Sequence, residues 1–168
     1  MRAADLDLLF VPEPGGPAAD HWQRRWSAKL STARFLDEGV ALAEAVRAAK
    51  RPTFLIAYSL GAVAVAEAAP SLEGLDVRGA FLVAPPTDGA LASLQPGRAL
   101  RRARLPFSSV FVASRTDPWA PFDQSHALAA DWGSQFVDAG EAGRLDHDSG
   151  HGPWPDGLLR LAGILKTL

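Results

Sequence analysis

The chain has no cysteine, and only one methionine and one tyrosine, among its 168 residues. Without cysteine, disulfide staples, thiol nucleophiles and cysteine-based metal centres are excluded. A charge excess is also missing. Seventeen basic and 19 acidic residues leave a net charge of −2, so nothing draws the chain to nucleic acid or to an anionic membrane. No apolar run approaches the ~20 residues needed to cross a bilayer. The apolar stretch from Met1 to Val11 carries Asp5 and Asp7, which is wrong for a signal peptide. A cytoplasmic protein is expected. Gly15-Gly16 stands outside any nucleotide-binding glycine pattern, and no cofactor is expected.

What is present suits one domain over residues 1–168. Hydrophobic residues make up 48% and charged residues 21%, enough apolar material for a core without staples. Strand-like runs alternate with helix-like ones. Strands are expected at Leu6–Val11, within Ser31–Leu36, at Thr53–Tyr58, Val77–Ala84, Phe107–Ala113 and Gln135–Val137. Helices are expected after an Asp20 cap, from Asp37 or Glu38 to about Lys50, over Leu60–Ala69 and Phe122–Trp132, and from an Asp156 cap to Thr167. Trp22, Trp26 and Leu30 would share one face of the first helix. Thr87–Pro106, with Arg98, Arg101, Arg102 and Arg104, reads as a long solvated irregular segment. Continuous apolar strands alternating with helices predict an α/β fold: a mainly parallel sheet of about six strands, helices on both faces and no large lid. In such sheets sites gather beyond the carboxyl ends of the strands. The loops after Val11, Tyr58, Ala84, Ala113 and Val137 are therefore the ones that matter.

One of these junctions has a distinct chemistry. Thr53–Tyr58 stops abruptly at Ser59, and a run of small residues with helical character follows, with Ala57 and Gly61 two positions either side. Strand, serine, helix is the pattern of a nucleophile elbow, whose tight turn admits only small flanking residues. Alanine replaces the usual first glycine. A second reading stands beside it, in which Ser59 merely caps the helix. A serine nucleophile on this fold needs an acid and then a histidine later in the chain. Asp117, just past a strand end in Ser114-Arg115-Thr116-Asp117-Pro118-Trp119, is the candidate acid, or else a turn aspartate before proline.

Several motifs in order resemble the small bacterial serine hydrolases related to retinoblastoma-binding protein 9. They are Asp20-His21-Trp22-Gln23-Arg24-Arg25-Trp26, the Ala57-Tyr58-Ser59-Leu60-Gly61 elbow, Val83-Ala84-Pro85-Pro86, the segment around Asp117, and Ser149-Gly150-His151-Gly152-Pro153-Trp154-Pro155. The resemblance implies a compact α/β-hydrolase fold, a Ser-Asp-His triad beginning with Ser59 and Asp117, and esterase-type activity on small acyl esters. It also marks two departures. The triad histidine should follow the glycine of Glu141-Ala142-Gly143, where the chain has Arg144. A guanidinium keeps its proton at any working pH and cannot act as general base. His147 is then the candidate displaced base, with His151 second. The oxyanion hole would use the N–H of Leu60 and one from the first loop. There the chain has Glu13 and Pro14, the latter with no N–H, so Gly15 or Gly16 would have to donate.

Tyr58, Trp119 and Trp154 are candidate pocket residues, although tryptophan more often anchors packing. Asp146, His147, Asp148 and His151 make a weak metal constellation that is set aside. Two functions follow: a serine esterase, impaired to whatever extent Arg144 dictates, or a non-catalytic relative using the same cleft. The latter would bind a small acyl or carboxylate ligand facing Arg144, or a protein partner.

Overall fold

The computed structural model describes residues 2–168; Met1, which opens the first apolar run, lies outside them. After a short 3₁₀ turn at Ala3–Asp5 the elements run β1 (Asp7–Val11), α1 (Trp22–Ser27), β2 (Ala33–Phe35), α2 (Leu42–Arg47), β3 (Thr53–Tyr58) and α3 (Leu60–Leu72). They continue as β4 (Val77–Val83), α4 (Asp88–Leu94), β5 (Ser109–Ala113), α5 (Phe122–Trp132), β6 (Gln135–Asp138) and α6 (Pro155–Thr167). The six strands form one sheet in the order β2-β1-β3-β4-β5-β6, and every pairing is parallel. This is the α/β architecture expected.

Alternation along the strands sorts the core into two layers. Leu9, Val11, Leu55, Ala57, Leu82 and Phe111 pack with α2, α3 and α5 on one face. Leu8, Phe10, Phe54, Ile56, Phe81 and Val112 pack with Trp22 and Trp26 of α1 and with Leu161 and Leu165 of α6 on the other. All six residues of β3 are buried, as a central strand covered on both faces requires. The chain turns from β1 outward to β2, then crosses back to β3. The crevice beyond the ends of β1 and β3 is thus the topological switch point, and Ser59 follows β3 directly.

Several expected boundaries move. The cap of α1 is His21, whose Nδ1 accepts from Gln23 N–H, rather than Asp20. The helix ends at Ser27, so Leu30 packs on the core from beyond it. Gly39 has φ +78°, a left-handed turn, which delays α2 to Leu42 instead of Asp37 or Glu38. Pro70 falls inside α3, which reaches Leu72, because near a helix end little ladder remains to be lost. The segment expected to be irregular contains α4, held by the buried Leu91, a single apolar anchor too sparse to read as periodicity. Helix α6 starts with Pro155, a residue preformed for that position, so Asp156 sits in the first turn and Trp154 in the cap position.

Candidate functional site

Ser59 occupies the sharp turn between β3 and α3, with φ +53° and ψ −120°, a strained conformation for a residue with a side chain. Two neighbours explain how it is held. Gly61 lies so close to β1 that a Cβ there would stand 2.1 Å from the Val11 carbonyl oxygen and 2.8 Å from that of Pro12. Only glycine fits. Ala57 is fully buried in β3, and its methyl group is accommodated where glycine is usual. The Ser59 side chain does not cap α3; its carbonyl takes the N–H of Ala62 instead, at 2.9 Å. The hydroxyl is left for another partner.

That partner is Arg144, on the loop after β6. Its Nη2 donates to Ser59 Oγ at 2.5 Å. Its Nη1 donates to Asp117 Oδ2 at 2.7 Å and to the Ala84 carbonyl at 3.3 Å. Asp117, on the exit loop of β5, also accepts the Trp119 N–H on Oδ1 at 2.9 Å. It is both a turn aspartate and a partner in the site. The Asp117 side chain is 1% exposed and that of Arg144 11%. Burial pushes the Asp117 carboxyl upward, against the opposing pull of the Arg144 charge and of the Trp119 N–H. The guanidinium lies over the Trp119 ring at 4.1 Å and near that of Tyr58 at 5.6 Å. The chain thus joins serine, cation and carboxylate in one row, with arginine where a histidine would join serine to acid.

The loop delivers Arg144 because other groups pin it on either side. Ser114 Oγ accepts the Ala142 N–H and Thr116 Oγ1 accepts the Gly143 N–H, each at 2.9 Å. Tyr58 Oη donates to the Arg144 carbonyl at 2.8 Å, and Trp22 Nε1 donates to that of Leu145 at 2.9 Å. Leu145 is left-handed and fully buried. Residue 144 is presented to the elbow, and the chain then turns off towards α1.

That turn decides where the histidines go. His147 Nε2 lies 3.2 Å from Asp148, and its buried Nδ1 has no partner. His151 Nδ1 lies 3.2 Å from Ser149 Oγ. Among the described residues neither imidazole hydrogen-bonds Ser59 or Asp117, so the structure does not bring the candidate bases to the serine. No group of three or more His, Cys, Asp or Glu side chains arranged to hold a metal occurs among the described residues.

The remaining candidates divide. Leu60 is the first residue of α3, so its N–H has no intrahelical acceptor. Gly15 lines a cavity of about 450 Å³ together with Glu13, Phe35 and Leu60. The Gly16 N–H is spent on the Glu13 carbonyl at 3.0 Å. The Glu13 carboxylate comes within 3.9 Å of Arg144 Nη2. Two carboxylates therefore face one guanidinium, and the site offers an incoming anion no net positive charge. Trp119 lines a second cavity, of about 630 Å³, with Thr87 and Leu94. Trp154 packs in the core. It is buried, stacked on Trp26 at 5.4 Å and edge-on to Trp22 at 5.2 Å. Tyr58 is likewise buried and fastens the Arg144 loop.

Sequence reasoning passed over Ala84, Ser114 and Thr116. The hydroxyl spacing just before Asp117 was a usable signal for the last two. The φ of +49° that aims the Ala84 carbonyl was not.

No curated protein matches the chain. Among solved structures it is similar to a YdeN-like hydrolase from Pectobacterium atrosepticum, with 26% identity, a TM-score of 0.85, and coverage of 96% of this chain and 91% of that one. It shares its fold with an esterase from Thermogutta terrifontis (15% identity, TM-score 0.67, 99% and 85% covered). It shares it also with the type II thioesterase of the borrelidin biosynthetic cluster (15%, 0.60, 91% and 92%). A model of the family described as serine hydrolase matches residues 8–163. With the elbow, the sheet order and that match together, the chain belongs to the serine hydrolase family.

Proposed function

We propose that this chain is a serine hydrolase of esterase type whose turnover is arrested, and that it acts by holding a small acyl ligand in the cleft beside Ser59. Within the family, its motifs point to the branch related to retinoblastoma-binding protein 9, and a cytoplasmic location suits it. The observation that carries this reading is the Arg144 guanidinium, 2.5 Å from Ser59 Oγ and 2.7 Å from Asp117 Oδ2. Acyl transfer needs a group that takes the serine proton and later returns it to the leaving group. A guanidinium does neither. In serine proteases, loss of the histidine costs on the order of a millionfold in kcat. Pro14 in the first loop removes a further backbone donor from the region that would stabilise the oxyanion. An active esterase remains the competing reading, supported by family membership and by esterase and thioesterase neighbours. An acyl or otherwise uncharged ligand suits the cleft better than a carboxylate, because Asp117 and Glu13 already face Arg144.

Steady-state hydrolysis of p-nitrophenyl acetate separates the two readings. The protein as it stands should turn over no faster than Ser59→Ala, while Arg144→His gains about a hundredfold or more from a restored base. Sustained hydrolysis by the unaltered chain that vanishes in Ser59→Ala would overturn the proposal.

A further inference from the structure

We propose that Ser59 is a single-turnover acyl acceptor. It takes an acyl group from donors whose leaving group departs without a proton, thioesters and aryl esters, and then keeps it. The inference rests on the reading that turnover is arrested, and follows from what each half of the cycle asks of the groups that remain.

Arg144 opposes acylation less than deacylation. Its Nη2 donates to Ser59 Oγ at 2.5 Å, so negative charge developing on that oxygen is stabilised. Ser59 is fully buried, and the Arg144 side chain is 11% exposed. Asp117 and Glu13 share the same guanidinium, so the stabilisation comes from the direct Nη2 hydrogen bond and not from a net positive charge at the site. Ser59 also precedes the first turn of a 13-residue helix, whose dipole acts in the same sense. The serine oxygen thus has a hydrogen-bond donor for the charge it develops, although no base removes its proton.

The leaving group decides the rest. A thiol has an ordinary pKa of about 8.5, so a thiolate departs unaided. The alkoxide of a plain alkyl ester needs a general acid, which a guanidinium is not. In the proposed step Ser59 Oγ forms a bond to the acyl carbon and the carbon–sulfur bond breaks. The electron pair leaves on sulfur, and the hydroxyl proton passes through solvent to that thiolate. Nothing is oxidised or reduced. The products are an O-acyl serine and a free thiol.

Release of the acyl group then requires an activated water. His147 Nε2 lies 3.2 Å from Asp148 and His151 Nδ1 3.2 Å from Ser149 Oγ, and neither imidazole bonds to the elbow. Asp117 is engaged by Arg144 and by the Trp119 N–H. The Glu13 carboxylate, 3.9 Å from the guanidinium, already faces a cation. The ester on Ser59 therefore persists.

The test is intact-protein mass spectrometry after incubation with S-acetyl-N-acetylcysteamine, p-nitrophenyl acetate or ethyl acetate. The first two should add one acetyl group per chain, mapped to Ser59 by peptide sequencing. Ethyl acetate should add none, and Ser59→Ala should remain unmodified. Acylation should quicken about tenfold per pH unit, without the inflection near 6.5 that a histidine base would impose. In Arg144→His the adduct should be lost about a hundredfold faster. If that variant does not fold, mapping on the unaltered chain still decides. Absence of an adduct, or an adduct elsewhere, together with absence of turnover, sinks the acceptor proposal and leaves the arrested reading standing. Continuous turnover without an adduct, abolished in Ser59→Ala, sinks both.

Discussion

Replacing Arg144 by methionine is the sharpest probe of what the guanidinium does for the fold. Methionine keeps an unbranched stem against Trp119 and Tyr58 but removes the charge. Asp117, its side chain 1% exposed, would then retain only the Trp119 N–H on Oδ1. Breaking a buried pair by removing one partner costs about 3–5 kcal/mol, because a buried charge is left uncompensated. Part of that cost disappears when the carboxyl takes up a proton. Burial already raises the folded-state pKa of Asp117, and Arg144 is the largest influence holding it down. Without Arg144 it rises further. A group with a raised folded pKa contributes stability at low pH that is lost as pH rises through that value. The Arg144→Met penalty should therefore shrink on acidification. Proton uptake by the carboxyl on acidification then relieves the uncompensated charge. The penalty at about pH 5 should thus be clearly smaller than that at about pH 8. Urea unfolding of both proteins at the two pH values measures it. A penalty under about 1 kcal/mol at the higher pH, or one equal at both, would refute the claim that the guanidinium neutralises a buried charge.

Two further stability predictions concern the supports of the site. His21 is 4% exposed, and burial lowers its pKa from 6.5 to about 4. The stability this carries is present above 6.5 and lost as pH falls towards 4, a total of about 3 kcal/mol; His21→Asn, which keeps an N-cap acceptor, should flatten the unfolding profile over that interval, and an unchanged slope would exclude His21 as its source. Gly61→Ala should destabilise by about 1–3 kcal/mol or more, since the new Cβ meets backbone carbonyls rather than a mobile side chain; a melting temperature matching the unaltered chain would mean the elbow is not held by that close approach.

Much of the fold was legible because its signals are local. The apolar runs of β3 and β4, the alternation of strand with helix and the serine junction each lie within a few consecutive residues. The misread boundaries are those where a backbone angle or one buried contact decides. Gly39 delays α2, and Leu91 alone anchors α4. Asp20 and Asp156 are good capping residues by type, yet His21 and Trp154 hold those positions, since the entry path of the chain is set by packing around Trp22, Trp26 and Trp154.

The site divides along the same line. Residue types alone determined that a serine stands at a strand–helix junction, that an aspartate follows a later strand, and that no imidazole comes directly after Gly143. Only the tertiary structure decided what fills the vacated role. Ser59, Asp117 and Arg144 are far apart in sequence and meet only because three loops end on the same edge of the sheet. His147 is three residues from Arg144 and yet faces Asp148, because hydroxyls of Ser114, Thr116 and Tyr58 pin the loop in one geometry. Spacing along a chain cannot encode a direction that distant hydrogen bonds impose.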